Sequence, residues 1–227
     1  WTEKYRPNKL NELYGQTNFV LDAEHWIRNK EMPNLLLYGI AGVGKTTAAI
    51  ALANDLLGEF KGANFHEINS SDDRKLETVR TRIKEIASTS KIGEVPFKII
   101  LLDEMDGMTK DAQNALKRIM ERYSSNCRFI ITCNSRHKII FPIQSRCANY
   151  AFTRLNNSDM KQVMNSVLHS EGVLTVSEDE LERFITYLHG DLRRGLTELQ
   201  ASVSSKSNLI YQIDKNLEPY TKIFKLD

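Results

Sequence analysis

The sequence predicts an α/β protein, a parallel five-stranded sheet flanked by helices and followed by a small all-helical domain. Three observations carry this. Short apolar runs alternate with segments of helical period through the first two thirds of the chain. A glycine-rich loop joins the first of those runs to a strong helix former. After Phe152 the short runs stop, and only helical periodicity remains.

Leu35 to Tyr38 is the first strand; others are expected near Phe65 to Ile68, Lys98 to Leu102, Phe129 to Cys133 and Ala148 to Phe152. Between them Leu76, Val79, Ile83 and Ile86 recur at helical spacing, as do Ala112, Ala115, Leu116, Ile119 and Met120, predicting two crossover helices. Beyond Phe152 three apolar stripes follow: Met160, Val163, Met164 and Val167, then Leu181, Phe184, Ile185 and Leu188, then Leu192, Leu196, Leu199 and Val203. Ser177 ahead of Glu178, Asp179 and Glu180 caps the middle helix, and Gly190-Asp191 ends it. The reading divides the chain into residues 1–153 and 154–227. The tail ends in Ile223, Phe224 and Leu226 with no apparent apolar partner, and the chain begins at Trp1, so it reads as part of a longer protein.

Composition sets the outer limits. With 227 residues, 41% hydrophobic and 26% charged, the chain can bury a substantial core without metal or disulfide staples. Its three cysteines, Cys127, Cys133 and Cys147, form no C-x-x-C pair and read as reduced thiols, two of them in the core. No window approaches the roughly 18 to 20 apolar residues of a membrane span, so no membrane partner is expected, and the first residues lack the apolar stretch of a secretory signal. Lys and Arg number 31 against 29 acidic residues, so net charge does not call for nucleic acid and only local clusters can.

Gly39-Ile40-Ala41-Gly42-Val43-Gly44-Lys45-Thr46 fits G-x-x-x-x-G-K-[ST] and lies between a strand and a helix, the context that gives the motif meaning. Glycines let backbone N–H groups close around phosphates at a helix N-terminus, Lys45 reaches the β and γ phosphates, and the Thr46 hydroxyl coordinates magnesium. The pattern predicts a nucleoside triphosphate site built from Gly39, Gly42, Val43, Gly44, Lys45, Thr46 and Thr47. The run Lys98 to Leu102 leads directly into Asp103-Glu104, placing two carboxylates at the carboxyl end of a buried strand, where open α/β sheets bind ligands. Asp103 is expected to hold the magnesium, directly or through water, and Glu104 to polarise the attacking water, so hydrolysis is implied. Asn134 closes the next strand on the same edge. There its amide can orient water, although Asn is equally a common strand terminator.

With these residues in place, the whole sequence resembles the small subunits of clamp loaders, the replication factor C type of AAA+ ATPase of archaea and eukaryotes. The likeness rests on Trp1-Thr2-Glu3-Lys4-Tyr5-Arg6-Pro7, Tyr14-Gly15-Gln16, the phosphate loop, Asn69 to Arg74, Asp103 to Asp106, Asp111 to Leu116, Gln144-Ser145-Arg146-Cys147 and Gly190-Asp191-Leu192-Arg193. It implies a P-loop AAA+ fold with a helical lid, followed by a collar domain beyond Asp227. It gives Asn134 the sensor 1 role and Arg193 the sensor 2 role, the latter reaching from the lid to the nucleotide of the same chain. Arg146 corresponds to an arginine finger that enters the neighbouring subunit's ATP site; from spacing alone it also reads as a surface arginine after a turn, and Arg193 as a solvated helix start. The adenine pocket is implied to draw on Tyr5, Arg6 and Pro7 and on Tyr14, Gly15 and Gln16. A finger contributes roughly 10³ to 10⁵ in rate, which is about 4 to 7 kcal/mol and makes hydrolysis conditional on assembly.

The resemblance further implies ATP and Mg2+ as cofactors, other clamp-loader subunits in a pentameric assembly, a sliding clamp and primer–template DNA as partners, and a nuclear location in a eukaryote or a cytoplasmic one in an archaeon. Arg74, Arg80, Arg82 and Lys84 are assigned to the template strand, although the charge pattern, with Glu77 and Glu85 interleaved, favours an ordinary solvated helix. The helix Asp111 to Arg122 and the segment to Asn126 are assigned to the clamp-facing surface, although Ile119, Met120 and Tyr123 read as core. Gly195 is expected to weaken the helix carrying Arg193 by up to about 1 kcal/mol. Two other classes stay open: a AAA+ motor such as a branch-migration helicase, which shares the ATP chemistry, and a non-catalytic scaffold subunit that binds nucleotide and donates only Arg146.

Overall fold

The computed structural model describes residues 1–69, 76–173 and 176–205, the side chains of 76–80 and 205 excepted. They form two compact units. One is Pro7–Thr153; the other joins Trp1–Arg6 to the described residues from Arg154 onward. The first six residues, which the sequence reading placed in domain 1–153, therefore group with the helices. Apolar contact explains why: Trp1 packs against the helical core.

Unit Pro7–Thr153 is built on a five-stranded parallel sheet of order β2-β3-β4-β1-β5. The strands are β1 (Leu35–Tyr38), β2 (Phe65–Asn69), β3 (Lys98–Asp103), β4 (Cys127–Cys133) and β5 (Ala148–Ala151). Around it lie α1 (Thr17–Asn29), α2 (Lys45–Leu57), the single turn α3 (Lys61–Asn64), α4 (Leu76–Ser88), α5 (Lys110–Arg122) and the short α6 (Phe141–Gln144). Successive strand residues alternate between two cores. Leu35, Leu37, Ile99, Leu101 and Ile130 meet the α1 and α2 side, while Leu36, Ile100, Leu102, Phe129 and Ile131 meet the α4 and α5 side. Such burial on both faces is what makes the strand sequences nearly continuous in apolar residues.

The strands differ from the sequence expectation only at their ends. β4 starts at Cys127 because that residue pairs with Lys98, and β5 stops before Phe152, whose N–H still donates to the Tyr38 carbonyl at 2.7 Å. Helix α1 was not anticipated. It covers the edge strand through Phe19, which packs edge-on against Trp26, Tyr150 and Phe152.

The second unit contains α7 (Asn157–Ser170), α8 (Glu178–Leu188) and α9 (Leu192–Ser205), with a core of Met160, Met164, Leu181, Phe184, Ile185, Leu188 and Leu199. Ser177 and Glu180 form a reciprocal capping box at the start of α8. Gly195 is buried in α9, and a Cβ there would sit 2.4 Å from Met164 Cε and 2.7 Å from Leu188 Cδ1, the tips of two flexible side chains. Lys4 and the Tyr5 hydroxyl both donate to Glu171, at 2.7 and 2.6 Å, and hold that carboxyl below its usual pKa.

Gly39 ends β1 with φ of +154°, and a Cβ on it would lie 2.2 Å from the Phe152 carbonyl oxygen. Backbone cannot yield as a flexible side chain can. Gly39→Ala should destabilise the sheet unit by about 2 kcal/mol or more, read as a lowered urea midpoint at unchanged m-value.

Candidate active site

Three strands deliver the site to one edge of the sheet. Parallel register sets Tyr38 beside Cys133 and Leu102 beside Ile131, so the residues that follow, Gly39, Asp103 and Asn134, all emerge together. β1 lies between β4 and β5, the point at which the strand order changes direction, and open α/β sheets bind ligands at such crevices.

The phosphate loop runs from Gly39 to Gly44, with Gly42 and Gly44 at φ of 83° and 90° and Val43 turned into the core. Lys45 opens α2 and is buried. Its ammonium donates to the Gly39 and Ile40 carbonyls at 2.7 and 2.8 Å and to Asn134 Oδ1 at 3.1 Å. Thr46 and Thr47 follow in the first turn, and the Thr46 hydroxyl donates to both oxygens of Asp103, at 2.9 and 3.1 Å. The loop, the acidic strand end and the strand-terminating amide are thus one connected cluster.

Sequence reasoning missed Thr132. One register step beyond Leu102 and Ile131, its hydroxyl donates to Asp103 Oδ1 and accepts the Glu104 N–H at 3.1 Å. It therefore orients the Asp103 carboxylate and the Glu104 backbone at once. Glu104 adopts φ of 53°, uncommon for a non-glycine residue, and its side chain is exposed. The available signal was a lone hydroxyl in the otherwise apolar run Phe129 to Cys133. Asp106 was also missed as a support: its Oδ1 accepts the Asn134 N–H at 3.2 Å, and Lys138 pairs with its other oxygen at 3.7 Å. Burial, with a smaller contribution from Asp106, pushes the neighbouring Cys133 thiol up to about 11, so it stays neutral.

Gln113 is fully buried on α5, donating to the Met108 and Lys138 carbonyls at 3.1 and 3.0 Å and accepting the Ile140 N–H at 2.8 Å. It ties α5 to the segment leading from β4 toward Arg146. Ile119 and Met120 are core residues, as their periodicity indicates, and Tyr123 packs against the same cluster.

Arg146 lies elsewhere. It precedes Ala148, which pairs with Leu35 at the amino end of β1, whereas the phosphate loop follows Tyr38 at the carboxyl end. Four strand residues at about 3.3 Å each separate those ends by ~13 Å. Its guanidinium donates to the Pro142 carbonyl at 2.6 Å and to Glu121. Arg193 is exposed in the first turn of α9, in the helical unit, and the partly buried Tyr5 and Arg6 belong to the same unit. Pro7, Tyr14 and Gly15 belong to the sheet unit. So does Gln16, whose amide exchanges two bonds with the Thr153 backbone, at 2.7 and 3.3 Å. Arg82 and Lys84 are exposed on α4; Arg74 and the side chain of Arg80 lie outside the described residues.

Two oxygen ligands, the Thr46 hydroxyl and the Asp103 carboxylate, suit a hard cation. Among the described residues no cluster of three His, Cys, Asp or Glu could hold a metal by itself. Such a hydroxyl–carboxylate pair suits Mg2+, which takes most of its ligands from water and substrate phosphates.

Comparison with known proteins bears on this arrangement. The model of the ATPase family associated with various cellular activities (AAA) matches residues 35–155. The replication factor C small subunit of Methanococcus maripaludis strain C7 is 44% identical over 223 residues, covering 96% of this chain and 70% of its own. That of Archaeoglobus fulgidus is 45% identical over the same coverage. Among solved structures, the Thermotoga maritima RuvB Holliday junction branch migration motor aligns over 94% of this chain and 73% of its own with TM-score 0.74. At 16% identity that likeness shows a shared fold alone. Fold and phosphate loop thus define an ATPase of the AAA class. Within that class the chain belongs to the replication factor C small-subunit family, the clamp-loader ATPases whose motifs it carries.

Thr132→Val keeps the shape and removes the hydroxyl. It should cost about 1 to 3 kcal/mol in thermal or urea unfolding, because the Glu104 N–H loses its partner. It should also raise the Mg2+ concentration needed for half-maximal ATPase, which a magnesium titration reads.

Proposed function

We propose that this chain binds ATP with Mg2+ at the β1–β3–β4 edge and acts as an ATPase subunit of an oligomeric clamp loader. ATP binding would organise the subunits to hold an open sliding clamp and primer–template DNA, and hydrolysis would release the clamp closed around the duplex. One observation carries the chemistry: Lys45–Asn134 and Thr46–Asp103 contacts put phosphate-binding, metal-ligating and water-orienting groups within hydrogen-bond reach of each other.

In this reading the phosphate loop amides and Lys45 bind the β and γ phosphates. Thr46 and Asp103 would hold Mg2+, which offsets charge on those phosphates. Glu104, exposed at the lip, takes up proton density from the attacking water, and Asn134 orients that water while Lys45 and Asp106 hold its amide and backbone. Arg146 completes a neighbour's site; its place at the far end of β1 from its own phosphate loop supports action between subunits. Arg193 contributes from the helical unit, and Tyr5, Arg6, Pro7, Tyr14 and Gly15 border the adenine. Arg82 and Lys84, with Arg74 and Arg80, would meet template-strand phosphates, giving salt-sensitive binding without base selectivity. Affinity for clamp and DNA then depends on the nucleotide, because a ligand shifts a conformational equilibrium only through differential binding.

The test uses the full-length chain in its native assembly. ATPase should rise with primed DNA and clamp together, and Glu104→Gln should keep ATP and DNA binding while turnover falls at least ~10²-fold, the scale of general acid–base catalysis. Rapid hydrolysis by that variant, or a wild-type rate indifferent to both partners, would contradict the assignment.

A further inference from the structure

We propose that Glu121 is a positioning residue: it aims the Arg146 guanidinium at the triphosphate of the neighbouring subunit. The inference rests on the reading of Arg146 as acting between subunits and adds the group that orients it.

The two residues come from elements of different rigidity. Glu121 is in the last turn of α5, a helix anchored by Leu116, Ile119 and Met120 in the core. Arg146 sits on the connection between α6 and β5, and its long side chain has many rotamers to lose. Glu121 Oε1 accepts from Nη2, and the Pro142 carbonyl accepts from Nη1 at 2.6 Å. One hydrogen on each terminal nitrogen is thereby committed. The Nε–H and the second hydrogen on each Nη remain, enough to bridge phosphate oxygens.

The pair is a poor candidate for a stability element. Its members are 35% and 45% exposed, and ion pairs in such surroundings add little to folding. What it does fix is direction, and pre-organised charge aimed at a transition state is the larger effect in phosphoryl transfer. The short helix whose Pro142 carbonyl holds Arg146 begins with Phe141, 75% exposed while Ile143 of the same helix is fully buried. A large aromatic so placed suits the buried centre of a protein interface. Glu121 and Arg146 thus meet just ahead of β5, whose first residue pairs with the amino end of β1, the opposite end from the phosphate loop.

The experiment measures steady-state ATPase of the full-length chain in its native assembly, with primed DNA and clamp. Glu121→Ala should lower kcat by about 10- to 100-fold, the scale of a misplaced catalytic group, with KM for ATP and assembly size unchanged. Glu121→Gln, which keeps an acceptor, should fall between Glu121→Ala and wild type, and keeps the test open should the alanine variant fold poorly. In an Arg146→Ala background, Glu121→Ala should add nothing. An unchanged or raised kcat for Glu121→Ala and Glu121→Gln, or independent losses that multiply in the double variant, would overturn the proposal. If Arg146→Ala itself kept the full rate, the reading of Arg146 would fail first, an outcome distinct from a slow Arg146→Ala with a fast Glu121→Ala.

Discussion

The Asp103 carboxylate is shared by two hydroxyls, Thr46 from the helix after the phosphate loop and Thr132 from the adjoining strand, and the carboxyl edge of the sheet is organised around it. Without these donors an acidic strand end would be free to turn toward water. With them, α2, β3 and β4 are joined at one point, and the Thr132 hydroxyl reaches on to the Glu104 backbone. Bonds to an ionised acceptor are stronger than neutral ones, so the geometry of this edge is set by the group best suited to ligate a metal. Glu104 can then hold its left-handed conformation, because its N–H is satisfied in that position.

Helix α5 spans the sheet between its two ends. At its start Thr109 caps the helix and Gln113 binds the chain leaving β4; at its finish Glu121 meets Arg146. Between them Leu116, Ile119 and Met120 fix the helix in the core. A close-packed helix cannot slide by fractions of a residue, so the segment leaving β4, bound by Gln113, and the Arg146 guanidinium, bound by Glu121, are held on one rigid element. If Arg146 acts between subunits as proposed, each active site would be completed by an arginine that the neighbour's α5 holds through Glu121, which makes hydrolysis report on assembly.

Much of this was legible beforehand, for definite reasons. Strands buried on both faces must be apolar throughout, so β1, β3 and β4 stand out in sequence. A phosphate loop needs its glycines, lysine and threonine at set intervals, and the strand–loop–helix context could be checked directly. Helix α1 was legible in part, since Phe19, Val20, Ala23, Trp26 and Ile27 recur at helical spacing; only the fold shows that Phe19 finds its partners in Tyr150 and Phe152, over a hundred residues away. Gly195 reads in the sequence as a propensity cost alone, and only the packing shows that it lies against the Met164 and Leu188 side chains.

By itself the sequence determined the fold class, the phosphate loop, the acidic strand end and the family motifs, all of which depend on local spacing and the chemistry of neighbouring residues. Tertiary structure decided the rest: that Thr132 completes the Asp103 cluster, that Trp1–Arg6 group with the helices, and that Arg146 faces Glu121 at the far end of the sheet. These are matters of register and of contacts between distant segments. They depend on how strands align and helices pack, which no spacing along the chain encodes.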